Sequence, residues 1–275
     1  MFKDILVRLD EGASHNIATN FALSIAHRFD AHVAGVAFAY EPVTPGTLMS
    51  GMPATLYEES RIECEKQAKA AVAIFENAAR NASVPYSTHM VQAPVGDAFA
   101  HAAAIARRFD LAVVRQEEND DGRQDGCIEA LLFGSGRPLI VVPYIHKEEL
   151  KLDRVLVCWD NSQHAARAIG DALPLLKQAK QIEVITVASA SREDNDVPGA
   201  DVGIHLARHG LTVSVRNLVA QDIDIADAIL SHAADMSADF MVMGGYGHSR
   251  LREFVLGGVT HTVLATMTVP VMLSH

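Results

Sequence analysis

The sequence is 275 residues long, 49% hydrophobic and 21% charged, which is enough for two ordinary domains with ample core material. Its formal net charge of −11 argues against a nucleic-acid partner, because holding a polyanion takes a basic face; a local basic pocket for a small anion is compatible with it. Three cysteines without metal or disulfide spacing, no signal-peptide pattern at Met1 to Leu6, and no apolar run near the ~20 residues of a bilayer span point to a reducing cytoplasm and to no membrane partner.

In chain order, Ile5 to Leu9 reads as a buried strand ending at Asp10, and Ser14 to Phe29 carries apolar residues at helical spacing. Val33 to Ala39 is a second strand. The loop that follows holds Pro42, Pro45, Gly46, Gly51 and Pro53, and its length suggests a lid or partner surface. Leu56 to Ala82 is Ala-, Glu- and Lys-rich and predicts a long helix. Tyr86 to Val91 is a strand, Gly96 to Phe109 a helix, Leu111 to Val114 a strand, Glu117 to Gln124 a charged loop, Ile128 to Phe133 a short helix and Pro138 to Val142 the last strand of this half. Gly134-Ser135-Gly136 reads as a turn into that strand.

The order then restarts after a charged connector, His146 to Leu152. Val155-Leu156-Val157-Cys158-Trp159-Asp160 repeats Ile5 to Asp10, and Ala165 to Gln178 repeats the first helix with an interruption expected near Pro174. Ile182 to Val187 is a strand, and Ala200 to His209 a helix stopped by Gly210. Thr212 to Leu218 is a strand, Ile225 to Met236 a helix, Phe240 to Met243 a strand, Val259 to Thr266 a helix and Val269 to Met272 the last strand. Matches in the same order describe a duplicated domain, residues 1–146 and 152–275. Alternation of helices with uncharged apolar strands predicts an α/β fold of two tandem, doubly wound, parallel-sheet (Rossmann-like) domains, with ligands beyond the strand carboxyl ends.

The most informative stretch is Met243-Gly244-Gly245-Tyr246-Gly247-His248-Ser249, followed by Gly257-Gly258-Val259 at a helix start. Glycine lets main chain approach an anion, and the free N–H groups of a helix N-terminus supply donors and a favourable dipole. These residues, with Asp160 and the duplication, resemble the universal stress protein family in its tandem two-domain form, over almost the whole chain. The ATP-binding members of that family carry Gly-x-x-Gly, nine residues, then Gly before Ser or Thr. Here Gly244 to Gly247, nine residues from His248 to Leu256, and Gly257 follow that spacing, and Gly258 stands in place of the hydroxyl residue.

The resemblance implies an adenine nucleotide alpha hydrolase-like fold and an adenine nucleotide, ATP or else ADP or AMP, with Mg²⁺ on its phosphates. It implies that Asp160 accepts from the ribose hydroxyls and that the main chain of Val187 holds the adenine edge, with Cys158 and Trp159 adjoining. Met243, Gly244 and Gly247 lie near ribose and phosphates, Gly257, Gly258 and Val259 cradle the phosphate tail, and His248, Ser249 and Arg250 are further polar candidates. Against this stands a plainer reading in which the glycines only end a strand and cap a helix.

In the first half Asp10 is kept, but Arg115-Gln116 replace Gly244-Gly245 and an acidic run, Glu117 to Asp121, occupies the equivalent loop, so this half reads as a degenerate nucleotide motif. His205 and His209 share a helix face, but without a third ligand they read as exposed histidines rather than a metal site. Cys158 reads as a core residue, not a nucleophile. No phosphate-binding Lys motif or Ser elbow is present, and no base or nucleophile is named for chemistry at a γ-phosphate. A nucleotide-dependent regulatory or signalling module is therefore expected rather than an enzyme. The alternatives are a slow ATPase or phosphotransferase through His248 and Ser249, and a nucleotide-free dimerisation or scaffold module. The duplication also implies intramolecular packing of the two halves and leaves a homodimer open.

Overall fold

The computed structural model describes residues 1–10, 16–41, 54–117, 126–188, 199–220, 223–246 and 258–275. They fall into two compact units. The first contains β1 (Asp4–Arg8), α1 (Ile17–Phe29), β2 (His32–Glu41), α2 (Ala54–Asn81), β3 (Tyr86–Pro94), α3 (Val95–Ala106), β4 (Leu111–Arg115) and α4 (Cys127–Ser135). Its strands run β3-β2-β1-β4, parallel throughout. The second contains β5 (Leu139–Val142), β6 (Arg154–Cys158), α5 (Gln163–Leu176), β7 (Gln181–Ala188), α6 (Ala200–Arg208), β8 (Val213–Val219), α7 (Ile225–Asp235), β9 (Phe240–Gly244), α8 (Val259–Thr266) and β10 (Val271–Ser274). Its order is β5-β10-β9-β6-β7-β8.

Ile5, Leu6 and Val7 in β1, and Val155, Leu156 and Val157 in β6, are each at most 1% exposed, which is why these strands are apolar without alternation: both faces of the sheet are covered. The duplication reaches individual hydrogen bonds. Asp110 Oδ2 accepts from the backbone N–H groups of Lys3 (2.7 Å) and Asp4 (3.1 Å), and Asp239 Oδ2 accepts from those of Asp153 (3.0 Å) and Arg154 (3.1 Å). Each aspartate thereby ties the turn before one strand to the start of its neighbour. Burial pushes the Asp239 carboxyl above the usual range, and the two donors offset part of that.

Three local expectations change. β5, read from sequence as the last strand of the first half, belongs to the second unit and runs antiparallel to β10, pairing Val141 with Val271 and Leu139 with Leu273. A local pattern specifies a buried strand but not its partner. α5 runs through Pro174 without interruption. Proline near the helix end removes one bond, while Lys177 N–H still reaches Leu173 O at 3.0 Å and Ser162 caps the other end. Gly134 and Ser135 finish α4 instead of forming the turn, and Gly136 closes it at φ 65°. Gly210 does stop α6 as expected, at φ 81°.

Among the described residues no helix is long and apolar enough to cross a membrane. Two outcomes test the packing. A Cβ at Gly35 of β2 would lie 2.9 Å from the Phe75 ring of α2 and 3.0 Å from Leu9, so Gly35→Ala is expected to lower unfolding free energy by about 1–3 kcal/mol in urea melts. Burial also holds the His146 imidazole below its ordinary value of 6.5. The unfolded chain then binds that proton more readily, so stability from this group is complete above ~6.5 and falls as pH drops below it. In urea melts, His146→Gln is expected to flatten the stability loss between about pH 6.5 and 5.

Candidate functional site

In the second unit β6 pairs with β7 on one side and with β9 on the other. The chain therefore leaves β6 in one direction through α5 and returns on the opposite side at β9. Between these two strands lies the switch in strand order at whose carboxyl edge open α/β sheets form a crevice.

The edge is built from short-range devices. Trp159 N–H donates to Ile185 O at 2.8 Å, extending β6 by one residue and bringing Asp160 to the mouth. There the Asp160 Oδ1 accepts from Ser162 N–H at 2.9 Å across Asn161, which has φ 62°. Ser162 then accepts from Ala165 N–H at 3.1 Å as the N-cap of α5. The Asp160 side chain is thus oriented yet solvent-exposed.

On the facing strand, β9 ends at Gly244, and Gly245 N–H donates to Ser274 O at 2.9 Å. Tyr246 N–H donates to the Thr260 Oγ1 in the first turn of α8 at 3.0 Å. This bond draws together the two ends of the glycine-rich segment. α8 starts from Gly258, whose backbone is extended (φ −41°, ψ 151°) and which supplies no side-chain cap. The first-turn N–H groups of α8 are therefore not capped by the N-cap side chain and suit an anion.

The structure places Cys158, Trp159, Asp160, Gly244, Gly258 and Val259 around this edge of β6, β9 and α8, and Val187 near the carboxyl end of the adjoining strand, β7. Met243 is 5% exposed and pairs with Leu273, so its side chain belongs to the core. The calls on Gly247, His248, Ser249, Arg250 and Gly257 lie outside the described residues. Gly244 has a packing reason of its own: a Cβ there would stand 2.6 Å from Ala165 N and 2.8 Å from His164 C, at the start of α5.

The sequence model of the universal stress protein family matches residues 151–275. A universal stress protein of Synechocystis is 26% identical over 155 residues, 55% of this chain and 51% of that protein, so the matched stretch spans about half of that relative's length. A universal stress protein structure from Archaeoglobus fulgidus superimposes with a TM-score of 0.70 at 17% identity, covering 98% of this chain and 95% of that one. Residues 151–275 form a universal stress protein domain.

A universal stress protein solved in complex with cAMP matches 45% of this chain, at 19% identity and a TM-score of 0.37, with 97% of its own length covered. In the present chain the first unit differs from the universal stress protein domain at the equivalent edge. Arg115, which stands where the second unit has Gly244, pairs with the Asp10 carboxylate at 3.3 Å. Arg8, in the place of Cys158, lies over the rings of Phe38 (5.6 Å) and Phe99 (5.5 Å).

Burial pushes the Cys158 thiol up to about 12, and the nearby Asp160 charge acts in the same direction, which disfavours the thiolate at neutral pH. His205 and His209 do share a face, with ring centres 4.8 Å apart. Among the described residues no group of three His, Cys, Asp or Glu side chains is placed to hold a metal.

Sequence reasoning missed several residues at this edge. Ser162 was legible, since Asp-x-Ser before an apolar helical pattern is a turn and cap signal. Thr260, the stacked rings of His164 and His275 (4.2 Å), and the hydrogen bonds from Ser274 (3.0 Å) and Arg167 (2.9 Å) to the Asp171 carboxylate were not all legible. Apart from the Arg167–Asp171 helix pair, they join residues remote in sequence. Gly244→Ala should lower the melting temperature of the ligand-free protein, with a loss of about 1–3 kcal/mol, because backbone of α5 obstructs the added methyl group. Scanning calorimetry without nucleotide checks this.

Proposed function

We propose that residues 152–275 bind ATP or another adenine nucleotide, with Mg²⁺ on the phosphates, and that binding serves a regulatory or signalling role in a stress response. The observation that carries this reading is the pairing of an exposed, oriented carboxylate with a helix start lacking a side-chain cap, on either side of the strand-order switch. Asp160 suits ribose hydroxyls, which donate to a carboxylate. The N–H groups at Gly258 and Val259 suit phosphate oxygens, and the spacing from Gly244 to Gly257 supports the same assignment. The main chain at Val187 lies one strand further on, where an adenine edge would reach. A bound Mg²⁺ would offset phosphate charge, an added benefit for a chain of net charge −11.

The first unit is proposed not to share this role. Its Asp10 is engaged by Arg115, and a guanidinium stands where the second unit has glycine.

Calorimetric titration with MgATP tests the reading. Saturable binding of one nucleotide per chain is expected, and folded protein giving no heat at millimolar MgATP would refute it. Asp160→Ala removes a charged acceptor and should weaken binding by about 10- to 100-fold, given ~1.5–3 kcal/mol for a hydrogen bond to a charged group.

A further inference from the structure

Gln116 directly follows β4 and stands in the repeat where the second unit has Gly245. It is 2% exposed and itself belongs to the second unit, as do its hydrogen-bond partners Val142, Tyr144 and Leu264. Its backbone N–H donates to Val142 O at the end of β5 (2.7 Å), just as Gly245 N–H donates to Ser274 O at the end of β10 (2.9 Å). Glycine has no side chain, but Gln116 has one, and both ends of its amide are engaged. Nε2 donates to Leu264 O at 2.7 Å, and Oε1 accepts from Tyr144 N–H at 3.3 Å.

Leu264 lies in the last turn of α8, where carbonyls have no partner within the helix. Gln116 therefore fills a C-terminal vacancy of the same helix whose first turn begins at Gly258. α8 is 8 residues long, about two turns or roughly 12 Å, so a shift or tilt at one end moves the other. Its N-terminal end is tied by Thr260 Oγ1 to Tyr246 N–H at 3.0 Å. The C-terminal end is tied through Gln116 to Val142 and Tyr144.

We infer that Gln116 is a positioning residue for the phosphate end of the nucleotide site: by clamping the last turn of α8, it aims the first-turn N–H groups at Gly258 and Val259. The inference rests on the nucleotide reading above. The amide is specific to the task, because one atom must donate to a carbonyl while the other accepts from an N–H. Glutamate would set a carboxylate against Leu264 O, and methionine would leave both backbone groups without that partner. The residue that erased a glycine from the first half of the sequence thus serves a helix of the second unit.

The test separates phosphate aim from general damage. Gln116→Met keeps the length and removes the amide, and Gln116→Asn keeps the amide but shortens its reach. With folding checked by circular dichroism, MgATP affinity is measured by calorimetry and adenosine affinity by competition against ATP. The expected result is at least about a tenfold loss for MgATP with less than about a twofold change for adenosine, since adenosine makes no use of the α8 start. Equal losses for both ligands would show a merely structural role, and unchanged MgATP affinity would refute the clamp. If Gln116→Met does not fold, the same ratio in Gln116→Asn decides. Wild-type protein that binds neither ligand would overturn the nucleotide reading itself, an outcome distinct from failure of the clamp.

Discussion

Parallel pairing is the constraint on which the rest of each unit depends. Parallel neighbours must be joined by crossovers, so helices cover both faces and the strands become apolar on both sides. It also gathers strand carboxyl ends and following helix starts on one edge, where strand geometry no longer dictates residue type. The sheet interiors retain the imprint of duplication. Asp110 and Asp239 still hold the equivalent backbone N–H pairs, and Leu9 and Trp159 still donate to Val36 and Ile185, each at 2.8 Å.

At the carboxyl edge the two units differ in side-chain chemistry, because a substitution there leaves the ladder undisturbed. Arg115 in place of Gly244 brings a guanidinium to Asp10, whose side chain is only 10% exposed. A charge that enclosed needs a partner, so this exchange makes the Asp10 carboxylate half of an ion pair, whereas its counterpart Asp160 stays exposed. Arg8 in place of Cys158 is enclosed by Phe38 and Phe99. One set of strands thus supports an edge closed by the Arg115–Asp10 ion pair in the first unit and an edge with an exposed carboxylate and glycine in the second.

In the second unit, small local bonds prepare the edge. Asp160 is held by Ser162, Ser162 caps α5, and Tyr246 meets Thr260 across the glycine-rich segment. Groups held in place before a ligand arrives lose less freedom when it binds, so weak bonds of this type raise affinity indirectly. Gly244 shows how packing constrains this edge. The absent side chain lets the start of α5 lie against β9. Packing alone is therefore sufficient reason for glycine at position 244.

What the sequence by itself determined was most of what is local or repeated, Pro174 inside α5 and Gly134-Ser135 at the end of α4 being exceptions. Apolar runs located the strands, periodicity located the helices, Gly210 ended α6, and the duplication revealed the α/β class and the two edges to compare. The positions of Asp160, just past β6, and Gly244, at the end of β9, were legible because strand ends are recognised by short spacing. The tertiary structure alone decided what joins residues distant along the chain: β5 lies against β10, Gln116 reaches Leu264, and His164 stacks on His275. A strand's own residues set its burial, but its partner is chosen by which edge is free when the sheet assembles. In the same way, the amide of Gln116 announces two hydrogen bonds in the sequence, and only the packed fold supplies the groups that complete them.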